Sequence, residues 1–291
     1  MTSRREISRR IVSLDEIAGI VSAMKALALM ETHRLQAFVA TQEHRVAGIE
    51  EAGAEFLAWH PQLRELHAPA REICVMVGAE QGFCGDFNDA LAAQYQKLGL
   101  PQRRSVQCVT IGRRLGNRLP VGQPVLKLPG ASVADEVPAV LLRLTQELNE
   151  LISADPMTVC VSALYHCDAT GEIRLQPLLP LGDLPAPGWG LRFPPELNVP
   201  PDVFFSGLVR HYLDAALNGI LYSSLLAENR ARQLHMDSAL NKLDENREQL
   251  RRAYDARRQE DITEEIEIIL LSAGLMRDFD PTRELRASPA D

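Results

Sequence analysis

The chain has 291 residues, 46% of them hydrophobic and 24% charged, with a net charge of −8. Such proportions exclude a largely disordered or low-complexity chain. The acidic balance disfavours a nucleic-acid module whose affinity comes from a basic face, and no stretch approaches the roughly 20 apolar residues that span a bilayer.

The N-terminus, MTSRREISRR, is arginine-rich in the manner of an organelle transit peptide. Acidic Glu6, Asp15 and Glu16, and a helical pattern that starts at Ile7, argue against one. All 18 prolines lie outside residues 1–60 and 202–280. Proline inside a helix costs about 3 kcal/mol, so those two tracts are where long helices can form.

Steps of four and three from Ile7 run through Ile11, Leu14, Ala18, Val21, Lys25, Ala28, Thr32, Leu35, Val39, Gln42, Val46 and Ile49. Ten of these thirteen positions are apolar, which is the 3.5-residue repeat of a coiled-coil seam. A helix over about residues 5–58 would be roughly 80 Å long.

The middle, about 70–198, predicts an α/β fold. Ile73–Val77 is a strand ending at Gly78, and Asp86–Leu98 is a helix. Ser105–Ile111 is a second strand, followed by a short helix over Arg113–Leu119. Pro138–Ile152 is a helix with Val140, Leu141, Leu144, Leu148 and Leu151 at core spacing. Thr158–Tyr165 and Glu172–Leu179 complete the strands. Strands alternating with helices imply a largely parallel sheet. Pro180–Pro201 reads as a stiff connector.

In the last tract Leu213, Leu217, Ile220, Ser224, Ala227, Ala231, Leu234 and Ser238 keep the four–three step, and Ile262, Ile266, Ile269 and Ala273 resume it. Asn241–Asp261 between them is polar nearly all round. A helix of about 70 residues would be roughly 105 Å long. Both helices exceed the size of a compact domain, whose radius of gyration would be about 19 Å. The expected organisation is a coiled-coil helix over 1–60, an α/β domain over 70–198, a coiled-coil helix over 202–276 and a tail over 277–291, the two helices pairing antiparallel.

Catalytic signatures are sparse. There is no GxxxxGK[ST], GxSxG or HExxH. Gly78, Gly82 and Gly85 follow a strand and open a helix, but not as GxGxxG, and Glu80 and Asp86 beside them would repel phosphate; a tight turn explains them. Five cysteines, Cys74, Cys84, Cys108, Cys160 and Cys167, are odd in number and contain no CxxC. With no secretory signal ahead of them they point to a reducing compartment and to core packing. His166–Cys167 lies in an apolar run and reads the same way. No cofactor is expected, and the chain alone does not read as an enzyme.

Three segments carry a resemblance. Arg10-Ile11-Val12-Ser13 and Ala23-Met24-Lys25-Ala26-Leu27-Ala28 are similar to RI-x-S and IT-x-AM-x-x-VA; Glu31 stands near a lysine of that pattern. Gly78-Ala-Glu-Gln-Gly82-Phe-Cys84-Gly85-Asp-Phe-Asn88 resembles (S/T)D-(R/K)-GLCGGLN, without its Ser/Thr-Asp. Ala227-Glu228-x-x-Ala231-Arg232-x-x-x-Met236-x-x-Ala239, then Tyr254, Arg258-Gln259 and Ile262-Thr263-x-Glu265, resemble SE-x-x-AR-x-x-AM-x-x-A and Y-N-x-x-RQ-x-x-IT-x-E.

These are the motifs of the gamma subunit of F-type ATP synthases, in order over essentially the whole chain. The departures suggest a divergent branch, with an alternative sodium-translocating ATPase as one possibility. The resemblance implies a rotor shaft that couples ion flow through a membrane c-ring to ATP synthesis or hydrolysis at beta-subunit sites. It implies alpha, beta and epsilon subunits and the c-ring as partners, no nucleic acid, and a peripheral position on the cytoplasmic face of a bacterial inner membrane. By the same resemblance Met24, Lys25, Arg232, Gln259, Thr263 and Glu265 are candidates for contact and coupling with the hexamer. Gly82, Cys84, Gly85 and Asn88 mark a foot turn near epsilon and the c-ring. A coiled-coil scaffold without ATPase partners is the competing expectation; an α/β nucleotide-dependent enzyme with helical arms is a further one.

Overall fold

The computed structural model describes residues 4–64, 71–100, 106–119, 125–152, 159–181 and 196–278. The elements are α1 (Arg4–Trp59), a 3-10 turn (Pro61–Arg64), β1 (Arg71–Val77), α2 (Phe87–Lys97), β2 (Val106–Ile111), β3 (Val125–Leu128), α3 (Val137–Ile152), β4 (Val159–His166), β5 (Ile173–Leu179) and α4 (Pro201–Asp278). Proline opens α4 where its missing N–H and fixed φ cost nothing. By their contacts the residues fall into two units, Met24–Asp237, and Met1–Ala23 with Ser238–Asp291.

The larger unit holds a five-stranded sheet in the order β3-β2-β1-β4-β5. The first four strands are parallel and β5 runs antiparallel to β4. Central β1 buries both faces, as its apolar run requires. On one face Ile73, Val75 and Val77 join Val140, Leu144 and Leu148 of α3 with Leu35 of α1 and Leu217, Ile220 and Leu221 of α4. On the other Cys74, Met76 and Cys108 pack with Leu91 and Tyr95 of α2 and with Leu115. Cys74 and Cys108 face each other in register, and burial pushes both thiols up to about 12. All five cysteines are free thiols, Cys160 alone being half-exposed. The expected α/β domain with long terminal helices is therefore present.

Two middle elements differ from expectation. β3 is an additional strand, only four residues long and closed by Pro129, too short to carry an alternating pattern. The helix expected over Arg113–Leu119 is instead a series of turns. Gly112 sets its start at φ +99, where a Cβ would stand 2.6 Å from the Gly78 carbonyl oxygen. The connector residues 182–195 and tail residues 279–291 lie outside the described residues.

In the larger unit α1 and α4 are antiparallel. Phe38 stacks on Tyr222 at 5.1 Å and Phe56 meets Phe204 at 4.8 Å. Gln233 donates to Thr32 Oγ1 at 2.6 Å and to the Ala28 carbonyl. All thirteen seam positions expected on α1 are buried or half-buried.

The seam of α4 differs. Its buried row here is Tyr222, Leu226, Asn229, Gln233 and Met236. The expected row tracks the sheet side: Ser224 donates to the Val77 carbonyl, and Ala227 and Ala231 pack on the turn after β1. Beyond that support Leu234 is 72% exposed and Ser238 is also exposed.

The smaller unit pairs the remainder of the two helices, also antiparallel. Buried Ile7 and half-buried Ile11, Leu14, Ala18 and Val21 oppose half-buried Leu240, Leu243, Arg247, Leu250 and Tyr254. Arg247 pairs with Asp15 at 3.0 Å and Arg4 with Asp261 at 3.6 Å. Ile262, Ile266 and Ile269, expected to resume the seam, are instead 43%, 51% and 64% exposed. Among the described residues no helix is long and apolar enough to cross a membrane.

Candidate functional site

The turn between β1 and α2 docks on α4, and buried polar groups hold it there. Asn88, buried on α2, accepts the Ala79 N–H at 2.9 Å. The Gly78 N–H donates to the Ile111 carbonyl. Ala79, Cys84 and Phe87 form a small apolar cluster against Ala227 and Ala231, where small side chains permit close approach. The His166 ring stacks on Phe87 with centroids 3.8 Å apart, and its Nε2 meets the Phe87 carbonyl at 2.8 Å. Burial holds its pKa below the usual value.

From α4, Glu228 and Arg232 reach this turn. They form an ion pair in which Arg232 is 7% and Glu228 2% exposed. Arg232 also donates through Nη1 to Asn229 Oδ1 at 2.9 Å and through Nε to the Gly82 carbonyl at 3.4 Å. The backbone N–H of Glu80 supports the Glu228 carboxylate, whose pKa burial nonetheless pushes up to about 7 against the pull of Arg232. The Glu80 side chain accepts the N–H groups of Arg113 and Gly130. Burial also raises the Cys84 thiol, which makes it a poor nucleophile.

At the tip Phe83 sits at φ +65 and is 61% exposed. Gly85 beside it has φ +63.

The candidate residues thus divide. Gly82, Cys84, Gly85 and Asn88 come together in the turn, with Cys84 and Asn88 buried in its support. Arg232, expected at a hexamer contact, lies inside the packing of the turn on α4, its guanidinium bonded to Glu228, Asn229 and Gly82. Met24 is half-buried on α1. Lys25 pairs with Asp237 of α4 at 2.5 Å in a solvent-exposed bridge. Gln259, Thr263 and Glu265 are exposed on α4, far along the chain from the turn, and the Thr263 hydroxyl donates to the Gln259 carbonyl.

Sequence reasoning passed over Glu228 and Asn229. Their signal was the spacing of Glu228 four residues before Arg232, the separation at which helix side chains meet. It also passed over Glu31, which is buried and accepts the Ala134 N–H ahead of α3 at 2.5 Å. Next to it Arg34 clasps Asp135 with two bonds. The acidic departure from the lysine-bearing pattern thus has a structural use.

None of these groups is arranged to move a proton or attack a substrate; they fix a turn to a helix. Among the described residues no group of three His, Cys, Asp or Glu side chains stands ready to hold a metal.

A family model described as ATP synthase matches residues 3–273. The ATP synthase gamma chain of an Exiguobacterium species is 24% identical over 95% of this chain and all of its own length. That of a Sulfurovum species is 27% identical, over 92% of this chain and 98% of its own. Among solved structures, a chain from the Euglena gracilis mitochondrial ATP synthase in an OSCP/F1/c-ring assembly covers 99% of this chain and 99% of its own with a TM-score of 0.65 at 13% identity. A chain from the central stalk and c-ring of the Tetrahymena thermophila mitochondrial enzyme covers 76% of this chain with a TM-score of 0.57 at 15% identity. Matched along nearly its whole length, with paired terminal helices around a mixed sheet, the chain belongs to the ATP synthase gamma family, the non-catalytic central-stalk subunit of that enzyme.

Proposed function

We propose that this chain is the rotating shaft of a bacterial F-type enzyme. It joins alpha and beta subunits above to epsilon and a membrane c-ring below, peripheral to the cytoplasmic face of the inner membrane. The observation that carries this reading is the end of α4. Ile262, Ile266, Ile268, Ile269, Leu270 and Leu271 are 43% to 68% exposed, and they point to more than one face of the helix. An apolar helix of this kind has to be buried by something, and here a partner must supply the cover. A hexamer's central cavity lined with apolar side chains would do so.

Gln259, Thr263 and Glu265, exposed just before and within this stretch, are its proposed polar contacts. Met24 and Lys25 are proposed to act on the α1 side. Arg232 acts through the turn it holds. The supporting role of a stalk is mechanical: the chain imposes its asymmetry on the catalytic subunits, and its paired helices supply the stiffness.

Reconstitution with the cognate alpha and beta chains tests the reading. The expected product contains three alpha, three beta and one copy of this chain, with raised ATP turnover. Replacing Ile266 and Ile269 with glutamate should weaken assembly without loosening the sheet-bearing unit. Failure of the unaltered chain to join the hexamer or change its rate would overturn the reading.

A further inference from the structure

The tip of the β1–α2 turn combines three features. Phe83 is a bulky residue in the left-handed region, at φ +65, where turns normally place glycine or asparagine. Its ring is 61% exposed, so burial within this chain does not offset that strain. The backbone on either side is fixed: the Gly82 carbonyl is held by Arg232, and Cys84 is buried against α4. A strained, exposed aromatic on a rigid support is a contact residue rather than a turn former.

A cation stands beside it. The β2–β3 connection carries three described arginines. Arg113 is paired with Glu80 at 2.7 Å and Arg118 with Asp89 at 2.5 Å. Arg114 has no carboxylate partner among the described residues, is exposed, and lays Nη2 3.6 Å from where a Cβ on Gly82 would be. The nearby carboxylates are accounted for: Glu80 is bonded to Arg113 and Gly130, Glu228 to Arg232, and Asp86 acts on the His166 side of the turn. In a chain of net charge −8, the tip is a local apolar and positive point.

We propose that Phe83 and Arg114 form a two-point contact for an apolar, carboxylate-bearing segment of a partner subunit, the ring entering an apolar socket and the guanidinium taking the carboxylate. The proposal rests on the stalk reading above. Arg232 and Glu228 are positioning residues for this contact, since they fix the turn without touching the partner.

The test uses the assembled complex with benzoylphenylalanine in place of Phe83. Illumination should join the chain to a partner segment containing Asp or Glu. In parallel, Phe83→Gly should leave the unfolding midpoint of the free chain unchanged or higher, because glycine relieves the positive φ, while binding weakens roughly 30-fold. That factor is about 2 kcal/mol at 1.4 kcal/mol per tenfold. Arg114→Glu should weaken binding, most at low salt, and Arg114→Lys should restore part of it.

A complex that forms but gives no cross-link to a partner, or one to a segment without Asp or Glu, overturns the proposal. So does Phe83→Gly binding as tightly as the unaltered chain. If the unaltered chain itself does not assemble, the stalk reading falls first and this inference with it.

Discussion

Replacing Arg232 with methionine would remove the counter-charge of Glu228, a carboxylate only 2% exposed. Breaking a buried pair from one side costs about 3–5 kcal/mol when the remaining charge stays ionised. Here the charge has an alternative, because burial already lifts the Glu228 pKa from 4.5 to about 7. A carboxyl raised by folding binds its proton more tightly in the native state. Its contribution to stability is therefore full below about pH 4.5 and is lost as pH rises through about 7, at about 1.4 kcal/mol per pH unit and about 3 kcal/mol in all. Without Arg232 the native pKa climbs further and the loss continues above pH 7. The cost of Arg232→Met should thus be small at pH 5 and reach about 3 kcal/mol or more at pH 8.5. Urea unfolding of the full chain, followed by circular dichroism at pH 5, 7 and 8.5, measures this. The double variant with Glu228→Gln should lose less than the sum of the singles, because each single leaves one buried partner unpaired. Equal losses at pH 5 and 8.5, or strictly additive singles, would refute the reasoning.

Other expectations follow from single contacts. Asn88→Ala leaves the Ala79 N–H without its acceptor and should cost about 1–3 kcal/mol in thermal or urea unfolding, whereas Asn88→Asp should retain much of the bond. Glu31→Lys sets a cation against the Ala134 N–H and beside Arg34; a loss of about 2 kcal/mol or more is expected, together with faster hydrogen exchange at Ala134. Lys25→Ala removes a bridge whose side chains are 40% and 47% exposed. It should cost no more than about 1 kcal/mol, and less in high salt. A larger effect of Lys25→Ala on the assembled enzyme than on the free chain would measure a partner contact.

Most of the fold was legible because its signals are local. Periodicity marks both long helices, and the α1 seam is correct at every position because its buried row is also its apolar row. On α4 these two rows separate. The row that faces α1 contains Asn229, Gln233 and Arg247, so a search for apolar residues follows Leu213 to Ser238 instead, onto the side packed against the sheet and turn. Arg113–Leu119 has helix-forming residues at its start, but Gly112 and Gly116 and the close approach of β3 impose turns. Strand β3 has four residues and no pattern to read.

At the site, the resemblance brought the turn residues together but assigned Arg232 by position. The buried pair it forms with Glu228 depends on the turn coming within reach of α4, a contact between segments about 150 residues apart in sequence that helix spacing does not encode. Phe83 and Arg114 were likewise invisible as a pair, since one belongs to the turn and the other to a different connection.

The exposed apolar end of α4 also bears on the life of the chain before assembly. A free copy carries Ile268, Ile269, Leu270 and Leu271 uncovered, and surfaces of that kind drive self-association and attract quality-control proteases. Supply of this subunit therefore has to be matched to supply of the subunits that cover it. Co-expression with those partners, rather than refolding alone, is the route to a soluble preparation, and a surplus of this chain in the cell is expected to be degraded rather than stored.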